Sequence, residues 1–116
     1  MKVTIYHNPR CSKSRQTLQI LLESGVAPEI VEYLKTPPDA KELRRILTML
    51  DISARDLLRK GEQAYKDESL ADPARTEAEI VDAMVRNPVL IERPIVIRDN
   101  RAVIGRPPEG VKDLLP

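Results

Sequence analysis

Lys2-Val3-Thr4-Ile5-Tyr6 runs through His7-Asn8-Pro9-Arg10 into Cys11-Ser12-Lys13-Ser14-Arg15. Val3 and Ile5 fall on one face of an alternating segment, which predicts a strand. Beyond Cys11, the residues Leu18, Leu21 and Leu22 recur at helical spacing, and Gly25 stands where a left-handed residue ends a helix. Ile30 and Val31, inside Glu29 to Tyr33, predict a second strand. A strand, a helix and a strand this closely spaced favour a parallel pair with a right-handed crossover.

Outward from this unit, Pro37-Pro38 breaks the chain. Asp39 is placed to cap a helix, with Glu42 three residues on as the capping-box partner and Leu43, Ile46, Leu47 and Leu50 along one face. Ser53 is placed to cap a short turn through Leu57-Leu58-Arg59, and residues 60–75 read as polar and irregular. Thr76, with Glu79 three on, opens a further helix that packs through Ile80, Ala83 and Met84, with Val81 beside them. Pro94 to Arg98 and Arg101 to Ile104 flank Asp99-Asn100, which predicts a hairpin with a two-residue turn. Pro107 and Pro108 can open a last short helix, Glu109 to Leu115. The expected fold is α/β: a thioredoxin- or glutaredoxin-like mixed four-stranded sheet flanked by helices, with a helical insertion before the third strand.

At 116 residues the chain is expected to be a single domain, 1–116. It has neither Phe nor Trp, so its core must come from Leu, Ile and Val, with the three tyrosines as partial contributors. A single cysteine forbids an intrachain disulfide, and no signal-like or membrane-length apolar stretch is seen, so a cytoplasmic location is expected. One Cys and one His cannot build a four-ligand Cys/His zinc site, and no metal is expected. A net charge of +1 and 3% aromatics argue against nucleic acid or a membrane as partner.

Cys11 lies where a strand turns into a helix. The backbone N–H groups and helix dipole there stabilise negative charge. Arg10, Lys13 and Arg15 add positive charge, so a thiolate is expected near neutral pH. A free cysteine can equally be a small core residue, but its polar and basic neighbours argue against apolar burial. Cys11-Ser12-Lys13-Ser14 has the spacing of a redox CxxC with Ser14 in place of the second cysteine. Ser14 can donate a hydrogen bond to a thiolate but cannot resolve a mixed disulfide, so a thiol cycle must end on an outside thiol. His7 can help lower the Cys11 pKa or can be a loop residue bonded to backbone. Arg15 follows Cys11 too closely for a phosphatase-type loop.

The hairpin adds an arithmetic argument. If the turn is Asp99-Asn100, facing residues sum to 199, so Arg93 faces Arg106, and each is followed by proline. Two like charges opposite one another repel. An oxyanion between the two guanidinium forks turns that repulsion into binding. A cis Arg93-Pro94 bond would expose backbone beside the Cys11 loop.

Tyr6-His7-Asn8-Pro9-Arg10-Cys11, Leu57-Leu58-Arg59-Lys60, Ile91-Glu92-Arg93-Pro94-Ile95-Val96 and Gly105-Arg106-Pro107 together resemble the glutaredoxin-dependent arsenate reductase (ArsC) family. The chain is most similar to its short members found outside arsenic-resistance operons. The resemblance implies a thioredoxin-like fold, Cys11 as nucleophile, and Arg59, Arg93 and Arg106 as holders of the arsenate oxyanion. It implies that His7 and Ser14 support a low thiol pKa. It further implies external glutathione and glutaredoxin as reductants, no bound cofactor, and a monomer. Two alternatives share the fold. One is an Spx-like regulatory protein binding RNA polymerase, although such regulators usually carry the CxxC that Ser14 removes. The other is a glutathione-dependent thiol reductase that does not act on arsenate.

Overall fold

The computed structural model describes residues 2–115. The chain divides into two compact units. The first is built from Met1–Thr36 and Arg93–Pro116, and the second from Pro37–Glu92.

The first unit holds all four strands: β1 (Val3–His7), β2 (Glu29–Glu32), β3 (Ile95–Arg98) and β4 (Arg101–Ile104). Their order is β2-β1-β3-β4, with β1 parallel to β2 and antiparallel to β3, and β3 antiparallel to β4. This is the expected thioredoxin-like sheet. The hairpin register is Ile95 to Ile104 through Arg98 to Arg101, so every pair sums to 199. Asp99 takes the left-handed conformation (φ 56°) that a tight two-residue turn needs.

Helix α1 (Ser12–Glu23) follows β1 and ends on Gly25, whose φ of 80° confirms the left-handed terminator. Val3 and Ile5 pack with Leu21, Val26, Val96, Val111 and Leu114, so α1 and the C-terminal turn share one face of the sheet. The buried stripe of α1 differs from the sequence expectation. Leu22 is 52% exposed, while Ser14 and Thr17 are fully buried with Leu21. The first two turns of the inward face are therefore polar, because they build a site rather than a core. The last element is a 3-10 helix, Pro108–Leu114, in place of the expected Glu109 to Leu115 helix. Gly110 weakens α-helix propagation, and short runs of this kind settle into the tighter form.

The second unit is the helical insertion. It contains α2 (Ala40–Leu50), α3 (Ala54–Leu57), α4 (Gln63–Asp67) and α5 (Glu77–Arg86). The Asp39 carboxylate accepts the Glu42 N–H at 2.8 Å, while the Glu42 carboxylate engages Arg45 at 2.6 Å. Ser53 caps α3, and Thr76 with Glu79 forms a complete capping box on α5. Leu43, Ile46 and Leu47 of α2 are buried, as are Ile80, Val81, Ala83 and Met84 of α5. Helix α4 lies where the sequence reads as irregular. It has no side-chain cap and buries no residue, so neither of the usual signals marks it.

Candidate active site

Cys11 is the N-cap of α1, at the end of the loop that leaves β1 (φ −94°, ψ 123°). The loop is fixed by its own polar groups. The Cys11 N–H donates to the Asn8 carbonyl at 3.0 Å, and the Asn8 side-chain oxygen accepts the Arg10 N–H at 3.0 Å. This Asx turn aims the thiol at the opening of α1. Arg15 donates to the Pro9 carbonyl at 3.0 Å and so braces the loop from the helix side.

The open end of the hairpin meets this loop. Arg106 Nη2 lies 3.4 Å from Cys11 Sγ, and its Nε donates to the Arg93 carbonyl at 2.8 Å. The Gly105 N–H donates to the Pro94 carbonyl at 2.9 Å, which carries the hairpin pairing one step past the strands. The Arg93-Pro94 and Arg106-Pro107 bonds are both cis. Burial alone pushes the Cys11 thiol up, but the Ser14 N–H, then the Arg93 guanidinium, then Arg106 outweigh it, and the pKa lies below the ordinary value. No side-chain cap bond to the α1 backbone is closed, so the Ser14 N–H acts as an oriented dipole facing the sulfur. The charges that matter most thus come from residues 93 and 106, far along the chain, rather than from Arg10, Lys13 and Arg15 beside the cysteine.

His7 and Ser14 form a buried pair beneath the loop. His7 Nδ1 and Ser14 Oγ are 2.6 Å apart, and the Asn8 N–H donates to Ser14 Oγ at 3.0 Å. Burial is the main cause that lowers the His7 pKa; Glu32 opposes it and Arg15 adds to it. His7 Nδ1 and the Asn8 N–H are thus the partners of the Ser14 hydroxyl group. The hydroxyl that the sequence offers to the sulfur is therefore committed to His7, and Ser14 reaches Cys11 through its main chain instead.

Arg59, the remaining sequence candidate, belongs to the second unit. Its N–H donates to the Leu90 carbonyl at 2.8 Å, and its guanidinium donates to Glu92 at 2.7 Å and Glu62 at 3.4 Å. The structure thus gathers Cys11, His7, Ser14, Arg93 and Arg106 in the first unit, and shows Arg59 held by two carboxylates in the second.

Two residues that sequence reasoning passes over support the geometry. Asn8 is buried and supplies three of the loop's hydrogen bonds; its position before Pro9 is the signal for an Asx turn. Gly105 is required by contact. A Cβ there would lie 2.5 Å from Thr17 Oγ1 and 2.8 Å from Pro94 Cγ, so only glycine lets the hairpin end approach α1. Thr17 cannot easily yield, because its hydroxyl donates to the Lys13 carbonyl at 2.8 Å.

No helix among the described residues is long and apolar enough to cross a membrane. Comparison with known proteins places the arrangement. The ArsC family model matches residues 6–114. The chain is 54% identical to the uncharacterized protein YfgD of Escherichia coli K12, over 98% of this chain and 97% of that one. It is 43% identical to the arsenate reductase of Neisseria meningitidis serogroup B, over 98% of each chain. The solved arsenate reductase from Vibrio cholerae superposes with a TM-score of 0.97 at 44% identity, covering 99% of this chain and 98% of that chain. A cysteine at a helix N-terminus, faced by paired arginines on a thioredoxin-like sheet and matched along nearly its whole length, makes this chain a member of the ArsC family.

Proposed function

We propose that this protein is an arsenate reductase that uses Cys11 as its nucleophile and external thiols as its reductant. The observation that carries the reading is the convergence of Arg93 and Arg106 on the Cys11 sulfur, with Arg106 at 3.4 Å. A thiolate is a good nucleophile, and two guanidinium groups beside it suit a tetrahedral oxyanion at the point of attack. The relatives named arsenate reductase supply the substrate.

In this reading the Cys11 thiolate attacks arsenic, an As–S bond forms, and one arsenate oxygen leaves as water or hydroxide. Arg93 and Arg106 offset the charge on the remaining oxygens. For Arg59 the family resemblance implies the same kind of role, an oxyanion-holding cation. His7 and Ser14 hold the loop and the Ser14 N–H in the position that favours the thiolate. Glutathione then attacks the adduct and glutaredoxin completes the cycle. In the net reaction, arsenate and two thiols give arsenite, one disulfide and one water, so arsenic gains the two electrons that the thiols lose. The chain's lone cysteine requires both electrons to come from outside once Cys11 is restored. The protein works as an oxidoreductase in the cytoplasm without a bound cofactor.

The test is arsenate-dependent NADPH oxidation with glutathione, glutaredoxin and glutathione reductase. Turnover in the wild type and none in Cys11→Ser, with unchanged circular dichroism, is the expected result. Turnover retained in Cys11→Ser removes the nucleophile. A reactive Cys11 without arsenate turnover favours a thiol reductase with another substrate.

A further inference from the structure

Arg10 and Lys13 flank the thiol, yet their side chains have no task in the site described above. The thiol is depressed by the Ser14 N–H, Arg93 and Arg106. Arg15 is occupied in bracing the loop through the Pro9 carbonyl. Arg10 serves the loop through its main-chain N–H, and Lys13 serves α1 through its main-chain carbonyl. Both residues are exposed, and among the described residues neither side chain forms an ion pair or a hydrogen bond. Other exposed cations are matched by a carboxylate: Lys35 by Glu32, Arg45 by Glu42 and Arg86 by Glu68.

An unmatched cation projects its charge only where no nearby carboxylate cancels it. The segments that meet at the thiol, residues 7–15, 93–97 and 104–107, contain no Asp or Glu. The first acidic residue of the chain is Glu23. It closes α1 at the end far from Cys11, about 16 Å along the axis and beyond the screening length of about 8 Å at physiological ionic strength. Glu32 pairs with His7 across the sheet and stands 3.6 Å from Lys35, so its charge is already offset.

Cations of this kind attract an anion through solvent before contact, and the attraction grows with the charge of the anion. We propose that Arg10 and Lys13 form an outer cationic rim that gathers small dianionic oxyanions at the mouth of the site and makes Cys11 selective for anionic over neutral electrophiles. Arg93 and Arg106 then hold the oxyanion at the sulfur. The outer pair acts on arrival and occupancy, and the inner pair acts on the reacting oxygens. The proposal deepens the arsenate reading above and rests on it for the identity of the substrate.

Iodoacetate and iodoacetamide test the rim without arsenate. Both alkylate the same sulfur by the same displacement and differ by one negative charge, so the ratio of their rates cancels the thiolate fraction. At low salt the ratio for Cys11 is expected to exceed that for N-acetylcysteine amide, and to fall toward it at an ionic strength of about 0.5 M. Arg10→Ala and Lys13→Ala are each expected to lower the low-salt ratio by about 1.5- to 3-fold, while Arg10→Lys and Lys13→Arg preserve it. In the coupled assay the same alanine variants are expected to raise the KM for arsenate by about 2- to 5-fold with kcat unchanged. Equal ratios in the wild type and the double alanine variant overturn the proposal. So does an equal loss in the charge-preserving variants, or a loss in kcat rather than in KM. If arsenate is not turned over while the alanine variants still lower the ratio, the rim stands and the arsenate reading falls. If arsenate is turned over while the ratio ignores both residues, the rim falls and the arsenate reading stands.

Discussion

The β3–β4 hairpin carries an arginine pair at each end, and the two ends treat like charge differently. At the turn, Arg98 faces Arg101 directly across the ladder. The two guanidiniums point to the C-terminal 3-10 helix, where Arg98 donates to the Leu114 carbonyl and Arg101 to the Asp113 carbonyl at 3.1 Å. Those carbonyls end a helix and have no partner within it, so they are fixed acceptors. At the open end, Arg106 spends one N–H on the Arg93 carbonyl and turns another to Cys11. Here the acceptor is a titratable sulfur. The same placement of charge is structural where its acceptors are permanent, and chemical where the acceptor can gain or lose a proton and react.

The largest effect that would break this contrast lies at the open end. Arg93→Ala and Arg106→Ala are each expected to lower kcat/KM for arsenate by about 10²- to 10³-fold, the usual consequence of deleting a donor to developing oxyanion charge. Initial-rate kinetics in the coupled assay check this, and wild-type values in both variants would dissolve the distinction between the two pairs.

Gly105→Ala comes next. The added Cβ meets Thr17 and Pro94, and overpacking of this kind costs about 1–3 kcal/mol in denaturant unfolding. Adding Thr17→Ala should recover part of the loss by removing the nearest clash, whereas an unrelieved double variant would show that the contact is not the cause.

The Cys11 thiol is held below its ordinary value of 9.0 chiefly by the Ser14 N–H and the Arg93 and Arg106 guanidiniums, against burial. Its iodoacetamide rate is expected to inflect below that value, and to move upward in Arg106→Ala but stay put in Arg98→Ala. By linkage, a depressed folded pKa contributes stability above pH 9.0 that is lost as pH falls through the folded pKa. His7 is also depressed, from 6.5, so its contribution is complete above that pH and fades as the ring is protonated. Unfolding midpoints measured from pH 5 to 9 should therefore rise with pH in the wild type, and the upper part of that rise should vanish in Cys11→Ser.

The smallest effect belongs to the turn end. Arg98→Ala is expected to cost about 1 kcal/mol of stability through its lost bond to the Leu114 carbonyl, with arsenate kinetics unchanged. A marked loss of turnover would mean that the two ends are not independent.

The parts of the molecule that were legible before its structure are those set by local chemistry or by counting. Val3 and Ile5 alternate, Thr76 and Glu79 stand three apart, and the Asp99-Asn100 turn fixes which residues face each other along the hairpin. Helix α4 and the polar inward face of α1 were not legible, because the first has neither cap nor apolar stripe and the second breaks the stripe to build the site.

The strand and helix order, the hairpin register and the place of the lone cysteine each follow from neighbours no more than a few residues or one turn away. Which cations act on the thiol, why Ser14 reaches it through its main chain, and why position 105 must be glycine depend on contacts that form only on folding. Arg106 and Cys11 are 95 residues apart in the chain. Interactions over that separation depend on how the sheet brings distant ends together, and a local pattern carries no record of it.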